Sequence, residues 1–183
     1  MIKLSRIDYC QVGLTGKNTL RVLDSALNEN NALAMVTAVI GDQSGLLHCF
    51  NLRSDSGSID TIHQTYPMGN TKINCLEVIG SSGSPKVVVA INTLSLRGIT
   101  RRGKQFFALD LASLTEPIKY MKLRWPSDIY VCGDYMYNHF LINADNSASG
   151  EKGTVVQAKD FFMNPEKITA MILLDDRVRR RTG

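Results

Sequence analysis

The chain carries a group of basic side chains whose types and spacing could bind anions. Arg97, Arg101, Arg102 and Lys104 fall within eight positions, around a turn that we predict to join two β-strands. Such a group could dock acidic lipid head groups or an acidic surface of a partner protein. The alternative is a solvated basic turn, because exposed lysines and arginines also protect sheet edges from aggregation. These four residues are the candidate interaction patch of the sequence.

Side chains that could catalyse a reaction do not form a recognised motif. His48, His63 and His139 are expected in different repeat units, and no serine or cysteine stands in a G-x-S-x-G nucleophile elbow. Residues 13–18 suggest a phosphate-binding loop, but the spacing is wrong and we expect no helix after them. We therefore predict no enzyme activity, no catalytic residues and no cofactor-binding residues.

The cysteines do not form a metal-binding pattern either. Cys10, Cys49, Cys75 and Cys132 are far apart, without a C-x-x-C pair or a histidine spacing that suits zinc. Each lies within an apolar run. We predict no metal site and four reduced, buried thiols in a cytosolic protein.

Two further sets of residues have alternative interpretations. Three aspartates recur near predicted turns, at Asp42, Asp134 and Asp175. A small-molecule-binding or enzymatic domain could use carboxylates at such recurring positions. Aspartate also bonds its own nearby backbone, so we interpret all three as turn formers. Residues 135–140 form an aromatic-rich strand, for which packing in the core is favoured over a binding platform.

The charge distribution argues against a nucleic-acid-binding surface. The chain has 21 basic and 17 acidic residues, and much of the resulting charge of +4 comes from arginines in the last seven positions. Residues 1–8 lack the apolar segment of a secretory signal, and no apolar run reaches about 18 residues. We predict a cytoplasmic chain without nucleic-acid partners, which meets membranes only through a surface patch or a partner.

The elements that position these residues are β-strands in a repeat. A strand, turn, strand unit recurs at residues 36–50, 87–100, 130–142 and 171–181. Successive turns are about 40 to 50 residues apart, which is the period of a β-propeller blade. Between residues 72 and 111, four short β-type runs follow one another, as a four-stranded blade requires.

We therefore predict an all-β fold in a single domain over residues 1–183, a partial β-propeller that does not close. It contains three four-stranded blades and the start of a fourth. The predicted blades cover residues 19–67, 72–111 and 118–162, the next begins at 167–178, and a further strand covers 7–14. Residues 15–18 are predicted as a turn, 87–91 as a strand buried on both faces, and 143–153 as a polar loop.

Several segments together resemble one known family. They are RIDYCQVG at 6–13, VIGD at 39–42 with Gly45 and CF at 49–50, LRGITRRGKQF at 96–106, LTE at 114–116 with IK at 118–119, YMYNHF at 135–140 and DRV at 176–178. In this order they resemble the amino-terminal β-propeller of the Bardet–Biedl syndrome 7 protein family. The departures lie in residues 26–33 and 54–57 and in the tail after Val178.

The resemblance implies a non-catalytic scaffold or interaction module of the BBSome, a coat-like complex that moves membrane proteins to and from cilia. It implies other BBSome subunits as partners and, through the assembled complex, an Arf-like small GTPase and acidic membrane lipids. The implied location is the cytoplasm, the ciliary base, the basal body and the cilium. It also implies that the strand at 7–14 closes the ring in a longer protein, so we expect the chain to be truncated. An inert truncated product is the remaining alternative.

Overall fold

The computed structural model describes residues 11–27, 33–53, 56–80, 85–92, 94–111, 114–124, 127–142 and 155–174. Within these ranges every regular element is a β-strand, thirteen in all. The described part of the chain contains no helix that could span a bilayer. The prediction of an all-β fold is therefore confirmed.

Twelve of the strands form three four-stranded antiparallel sheets, each with its strands in chain order. The first sheet contains β1 (Thr15–Leu27), β2 (Leu33–Asp42), β3 (Leu47–Arg53) and β4 (Ile59–Thr65). A short strand, β5 (Pro67–Asn70), follows it. The second contains β6 (Ile73–Ile79), β7 (Lys86–Ile91), β8 (Ser95–Thr100) and β9 (Gln105–Asp110). The third contains β10 (Tyr120–Arg124), β11 (Asp128–Cys132), β12 (Met136–Ile142) and β13 (Val155–Met163).

The three sheets stack in chain order around their first strands. β6 lies against β1 on one side and against β10 on the other, so these three are the inner strands of the stack. Each sheet then runs outward to its fourth strand, which is the arrangement of propeller blades. The three described sheets do not close into a ring, as predicted.

The second sheet is buried on both faces because its neighbours cover it. Val89 and Ile91 belong to a core cluster shared with the first sheet, whereas Ala90 belongs to a cluster shared with the third sheet. All three side chains are fully buried. An alternating apolar and polar sequence would leave one face polar, and the continuous apolar run of β7 avoids this. The prediction for residues 87–91 is confirmed.

The hairpin between β2 and β3 depends on Asp42 and Gly45. The Asp42 carboxylate accepts hydrogen bonds from the Ser44 amide and hydroxyl and from the Leu46 amide, at 2.7 to 2.9 Å. Gly45 has φ of 90°, a conformation that side chains disfavour. Burial opposes ionisation of Asp42, but its hydrogen bonds outweigh burial and lower its pKa. Asp42 is a turn former, as predicted.

Two predictions at the start of the chain need correction. Residues 11–14, the described part of the predicted strand at 7–14, form no strand. Residues 15–18, predicted as a turn, belong to β1 and contain a bulge, where the register shifts between Thr15 and Leu20 and Asn18 has φ of 67°. The turn-forming residues of this segment thus lie inside a strand, because one type of bulge uses a residue at positive φ and asparagine tolerates that conformation.

Residues 167–174, the described part of the predicted start of a fourth blade, also form no strand. The Ile168 amide donates to the Asp134 carbonyl at 2.6 Å, and the segment then continues to Leu174 without pairing with a described strand. Ile172 and Leu174 are both 80% exposed. A strand requires a ladder partner, and apolar residues alone do not supply one. Residues 1–10, 143–153 and 175–178, which also carried predictions, lie outside the described residues.

Candidate functional site

Arg97 does not belong to the surface patch in which the sequence placed it. It lies in the middle of β8 and is 8% exposed. One guanidinium nitrogen donates to the Leu96 and Leu109 carbonyls, and the other donates to the Asp110 carboxylate at 2.9 Å. Arg97 therefore ties β8 to β9, and a buried arginine with this set of acceptors is a structural residue.

The other three basic residues lie on the tight turn between β8 and β9. Thr100 fixes this turn, since its amide donates to the Lys104 carbonyl at 2.8 Å and its hydroxyl accepts from the Lys104 amide at 3.0 Å. Gly103 has φ of 81° and provides the left-handed position. Arg102 and Lys104 are exposed, whereas Arg101 is half-buried.

Arg101 turns toward the first sheet. Its guanidinium donates to the Thr37 hydroxyl at 3.0 Å, and that hydroxyl donates to the Asn51 side-chain carbonyl at 2.8 Å. Thr37 is buried. Burial raises the pKa of the nearby Cys49 thiol to about 11, although the charge of Arg101 opposes this shift. The hydrogen bonds of Arg101 thus join the basic turn to the first sheet.

A basic groove of about 820 Å³ lies between the first and second sheets at this turn. Its lining residues are Asn51, Ile62, Pro85, Lys86, Thr100, Arg101, Arg102 and Lys104. Four of these are cations, and none of the lining residues that the structure describes is a carboxylate. Cations grouped in this way attract anions, and the concave shape strengthens the field.

Lys86 is the residue of this groove that sequence reasoning missed. It is the Cα partner of Thr100 in the ladder between β7 and β8, so it lies beside the basic turn. Its ammonium group is 4.8 Å from the centre of the Phe106 ring. The register of the predicted hairpin could have revealed Lys86. In an antiparallel hairpin the first residue of one strand lies opposite the last residue of the next strand.

His63 forms the wall behind the turn. A Cβ atom on Gly103 would lie 3.1 Å from the His63 ring, so the turn packs directly on the imidazole. Burial lowers the pKa of His63 below its usual value of 6.5. The basic turn therefore rests on a neutral histidine.

The histidines do not lie in three different units, and that prediction was wrong. His48 is in β3 and His63 is in β4, which pair within the first sheet. They point to opposite faces, because His48 is opposite Gln64 and His63 is opposite Cys49. His139 is in the third sheet, where its Nε2 atom donates a hydrogen bond to the Asp128 carboxylate at 2.8 Å. The predicted blade over residues 19–67 already contains both His48 and His63, so the prediction of different units was inconsistent with the predicted blade bounds.

The remaining sequence candidates have structural roles of different kinds. Asp134 is not a turn former of the predicted type, since its carboxylate pairs with Lys119 and Lys167. A lysine within reach offers a charged donor, which the local backbone amides do not. Cys49, Cys75 and Cys132 are buried and free, and Cys10 lies outside the described residues.

The aromatic-rich segment at 135–140 mainly packs inside the third sheet. Phe140 is 2% exposed and joins the core cluster shared with the second sheet. The His139 ring stacks on Tyr130 with a centroid distance of 4.4 Å. Tyr135 is the exception, with 42% exposure. Core packing is therefore the main role of this segment, as predicted.

Comparison with known proteins gives consistent matches over most of the chain. A family model described as the BBS7 beta-propeller matches residues 20–180. A mouse protein, BBSome complex member BBS7, is 33% identical over 187 residues, which cover 98% of this chain and 24% of that protein. A Caenorhabditis elegans protein, BBSome complex member bbs-7, is 27% identical over 148 residues, with 81% and 19% covered. The chain thus spans about a quarter or less of the length of these curated relatives.

A solved structure is similar in fold. The BBS1N fragment in complex with ARL6DN has a TM-score of 0.51 and 16% identity to this chain, and the match covers 82% of this chain and 39% of BBS1N. At this identity the likeness concerns the fold alone. The family match and the mouse relative, by contrast, extend over nearly all the residues that form the three sheets. This chain belongs to the BBS7 β-propeller family.

Proposed function

We propose that the chain is a non-catalytic scaffold segment of the BBSome, and that it serves the movement of membrane proteins to and from cilia. The observation that carries this proposal is the match of 98% of the chain to a mouse BBSome member. The proposed locations are the cytoplasm, the ciliary base, the basal body and the cilium. Fold alone does not define function, so the proposal depends on family membership rather than on the propeller architecture.

Exposed apolar side chains on the first and third sheets support a role in protein contact. On β1, Leu20 and Val22 are 55% and 58% exposed, and on β13, Phe161, Phe162 and Met163 are 51% to 65% exposed. Clustered apolar side chains of this size are typical of surfaces that another protein element covers. Further blades of a longer chain and other BBSome subunits both fit this description. We propose other BBSome subunits as partners, together with an Arf-like small GTPase in the assembled complex.

Capture of the tagged chain from ciliated cells tests the scaffold proposal. The captured proteins are identified by mass spectrometry, beside a full-length relative as reference. We expect BBSome subunits in both samples, at a lower yield for the short chain because it spans only part of the relatives. Recovery of chaperones alone would contradict the proposal and would support an inert product. Recovery of a metabolic substrate or of a turnover activity would support the enzymatic alternative.

The basic groove is proposed to contact anionic lipid head groups. Arg102 and Lys104 are exposed on a turn that Thr100 holds rigid, and Lys86 and Arg101 extend the cationic surface into the groove. Lysines and arginines near an anionic bilayer contribute about 1 kcal/mol each. Arg97 is excluded from the proposed contact, because its guanidinium is buried between β8 and β9.

Vesicle flotation tests the groove. The double variant Arg102→Glu, Lys104→Glu should reduce binding to phosphatidylserine vesicles by about tenfold or more. Arg53→Glu, Arg124→Glu is the matched control, since it changes the net charge equally at exposed positions that do not line the groove. An equal loss in both variants would indicate attraction by net charge alone. Unchanged binding in the first variant would contradict lipid binding by the turn. Its basic residues would then serve only to protect the sheet edge from aggregation.

A further inference from the structure

The inner strands of all three sheets begin at the same end of the stack, and a lysine stands at each beginning. Lys17 lies in the bulge near the start of β1, Lys72 precedes β6, and Lys119 precedes β10. A fourth, Lys167, follows β13 where the chain returns to this end. All four line one cavity of about 410 Å³, here called the axial cavity. The volume is within the range of small-ligand sites.

The axial cavity has a net positive charge. Asp134 is its only carboxylate among the lining residues, against four lysines, so the formal balance is 4−1=3. Lys119 and Lys167 both pair with Asp134, and their hydrogen bonds lower its pKa. The same contact raises the pKa of Lys167. Lys119 and Lys167 are therefore partly neutralised within the protein.

Lys17 and Lys72 are different. Both are exposed, and neither forms an ion pair with any residue that the structure describes. Two ammonium groups at one opening repel each other unless an anion lies between them. They are thus the two charges of the axial cavity that an external anion can neutralise.

The backbone fixes the positions of these two lysines. Next to Lys17, the Thr19 hydroxyl donates to the Gly16 carbonyl at 2.8 Å and accepts from the Gly16 amide at 3.2 Å. Thr19 is 1% exposed, so this turn is anchored in the protein. The Lys72 carbonyl accepts from the Asn92 amide at 3.0 Å, which joins two loops of the second sheet. The backbone that carries these two lysines is therefore held in place before a ligand binds.

The other lining groups fit a phosphate better than an apolar ligand. Three asparagines, Asn18, Asn74 and Asn92, line the cavity together with the lysines. Amide nitrogens donate to phosphate oxygens, and lysine binds phosphate as a point charge. One aromatic side chain, Tyr120, supplies a wall. The arrangement offers several donors around one compact space.

We propose that the axial cavity binds a small, multiply phosphorylated anion of the inositol phosphate type, with Lys17 and Lys72 as its principal ligands. The anion could be free in solution or could be the head group of a lipid, since the phosphate chemistry is the same. This site is independent of the basic groove, which lies at the other end of the sheets.

Isothermal titration of the full chain with inositol hexakisphosphate tests the site. We expect saturable binding that weakens by about tenfold or more in Lys17→Gln, Lys72→Gln, because two charge-assisted contacts are lost. The matched control is Arg53→Gln, Arg124→Gln, which removes the same charge from exposed positions that line neither the axial cavity nor the basic groove and should leave the affinity unchanged. Thermal unfolding of each variant checks that the fold is retained.

Three outcomes would overturn the proposal. They are an equal loss of affinity in both double variants, equal competition by polyglutamate at matched charge, and no saturable binding in solution or on vesicles. Flotation on vesicles with phosphatidylinositol 4,5-bisphosphate, compared with phosphatidylserine vesicles, assigns the source. Binding that depends on Lys17 and Lys72 and requires the bisphosphate indicates a lipid head group. Binding of the free anion without such flotation indicates a soluble ligand.

Discussion

The Glu77 carboxylate on β6 accepts a hydrogen bond from the Lys122 ammonium group on β10 at 3.0 Å. The same carboxylate oxygen lies 3.8 Å from the Arg21 guanidinium on β1. One acidic side chain, 16% exposed, therefore links the inner strands of all three sheets. Because the three strands belong to different blades, this contact holds the stack together along its axis.

Replacement of Glu77 by Gln should destabilise the chain more than loss of a surface pair does. The change leaves Lys122 and Arg21, both partly buried, without their carboxylate, and we expect a loss of about 1–3 kcal/mol. Urea unfolding followed by circular dichroism measures it. Asp60→Asn is the control, since its partner Arg53 and Asp60 itself are each at least half exposed, and a cost below about 1 kcal/mol is expected. Equal costs would contradict the role given to Glu77.

Replacement of Gly41 by Ala should disturb the contact between the first and second sheets. A Cβ atom at this position would lie 2.6 Å from the Ile73 Cγ2 atom, and Ile73 is fully buried. Overpacking of this kind costs about 1–3 kcal/mol. The midpoint of urea unfolding should fall accordingly. In Gly16→Ala the new Cβ atom would lie 3.5 Å from the Thr19 methyl group, an ordinary van der Waals distance, and the change should cost less.

The stability of the chain should fall in mild acid partly because of His63. Burial keeps the pKa of His63 below 6.5 in the folded state, so the unfolded chain takes up the proton first as the pH falls. The free energy of unfolding therefore decreases below about pH 6.5, and continues to decrease until the folded state is also protonated. His63→Gln should reduce the difference in stability between about pH 7.5 and 5.5. An unchanged difference would contradict a buried, neutral imidazole.

Arg97 should behave as a structural residue and not as a binding residue. Arg97→Gln removes the charged contact with Asp110 and leaves the Leu109 carbonyl with a poorer donor, so a loss of about 2 kcal/mol is expected. Binding to phosphatidylserine vesicles should stay unchanged for the folded fraction. The exposed pair Arg102→Glu, Lys104→Glu should show the reverse pattern, with weaker vesicle binding and little change in stability. Weaker vesicle binding by folded Arg97→Gln would contradict this assignment and would show that Arg97 contributes to the interaction patch.

The strands of this fold could be predicted from local patterns of apolar and turn-forming residues, because each strand packs against neighbouring strands in a similar way in every blade. The continuous apolar run of β7 predicted burial on two faces, and the basic turn was predicted between two strands. The burial of Arg97 could not be predicted in this way. Its acceptor Asp110 lies 13 positions away, and its contact with the Met68 sulfur spans 29 positions.

The axial lysines were missed for a related reason, although a signal was present. Lys17, Lys72 and Lys119 stand 55 and 47 positions apart (72−17=55, 119−72=47), and each lies within two residues of a predicted blade start. Local clustering of charge marks the basic turn and the arginines of the last seven positions, but not these lysines. A comparison of equivalent positions in successive repeats finds a lysine in each, and the stacking of blades brings them to one opening.

Because the second sheet is buried on both faces, the three sheets should unfold locally in a defined order. Each outer sheet is held by one interface, whereas the second sheet is held by two, as in a short one-dimensional array of coupled units. Amide hydrogens of β7 and β8 should therefore exchange with solvent most slowly, and those of the outer sheets should exchange through partial opening. The first or the third sheet can detach from the second sheet and return, while the other interface of the second sheet stays closed. The second sheet is therefore expected to open last.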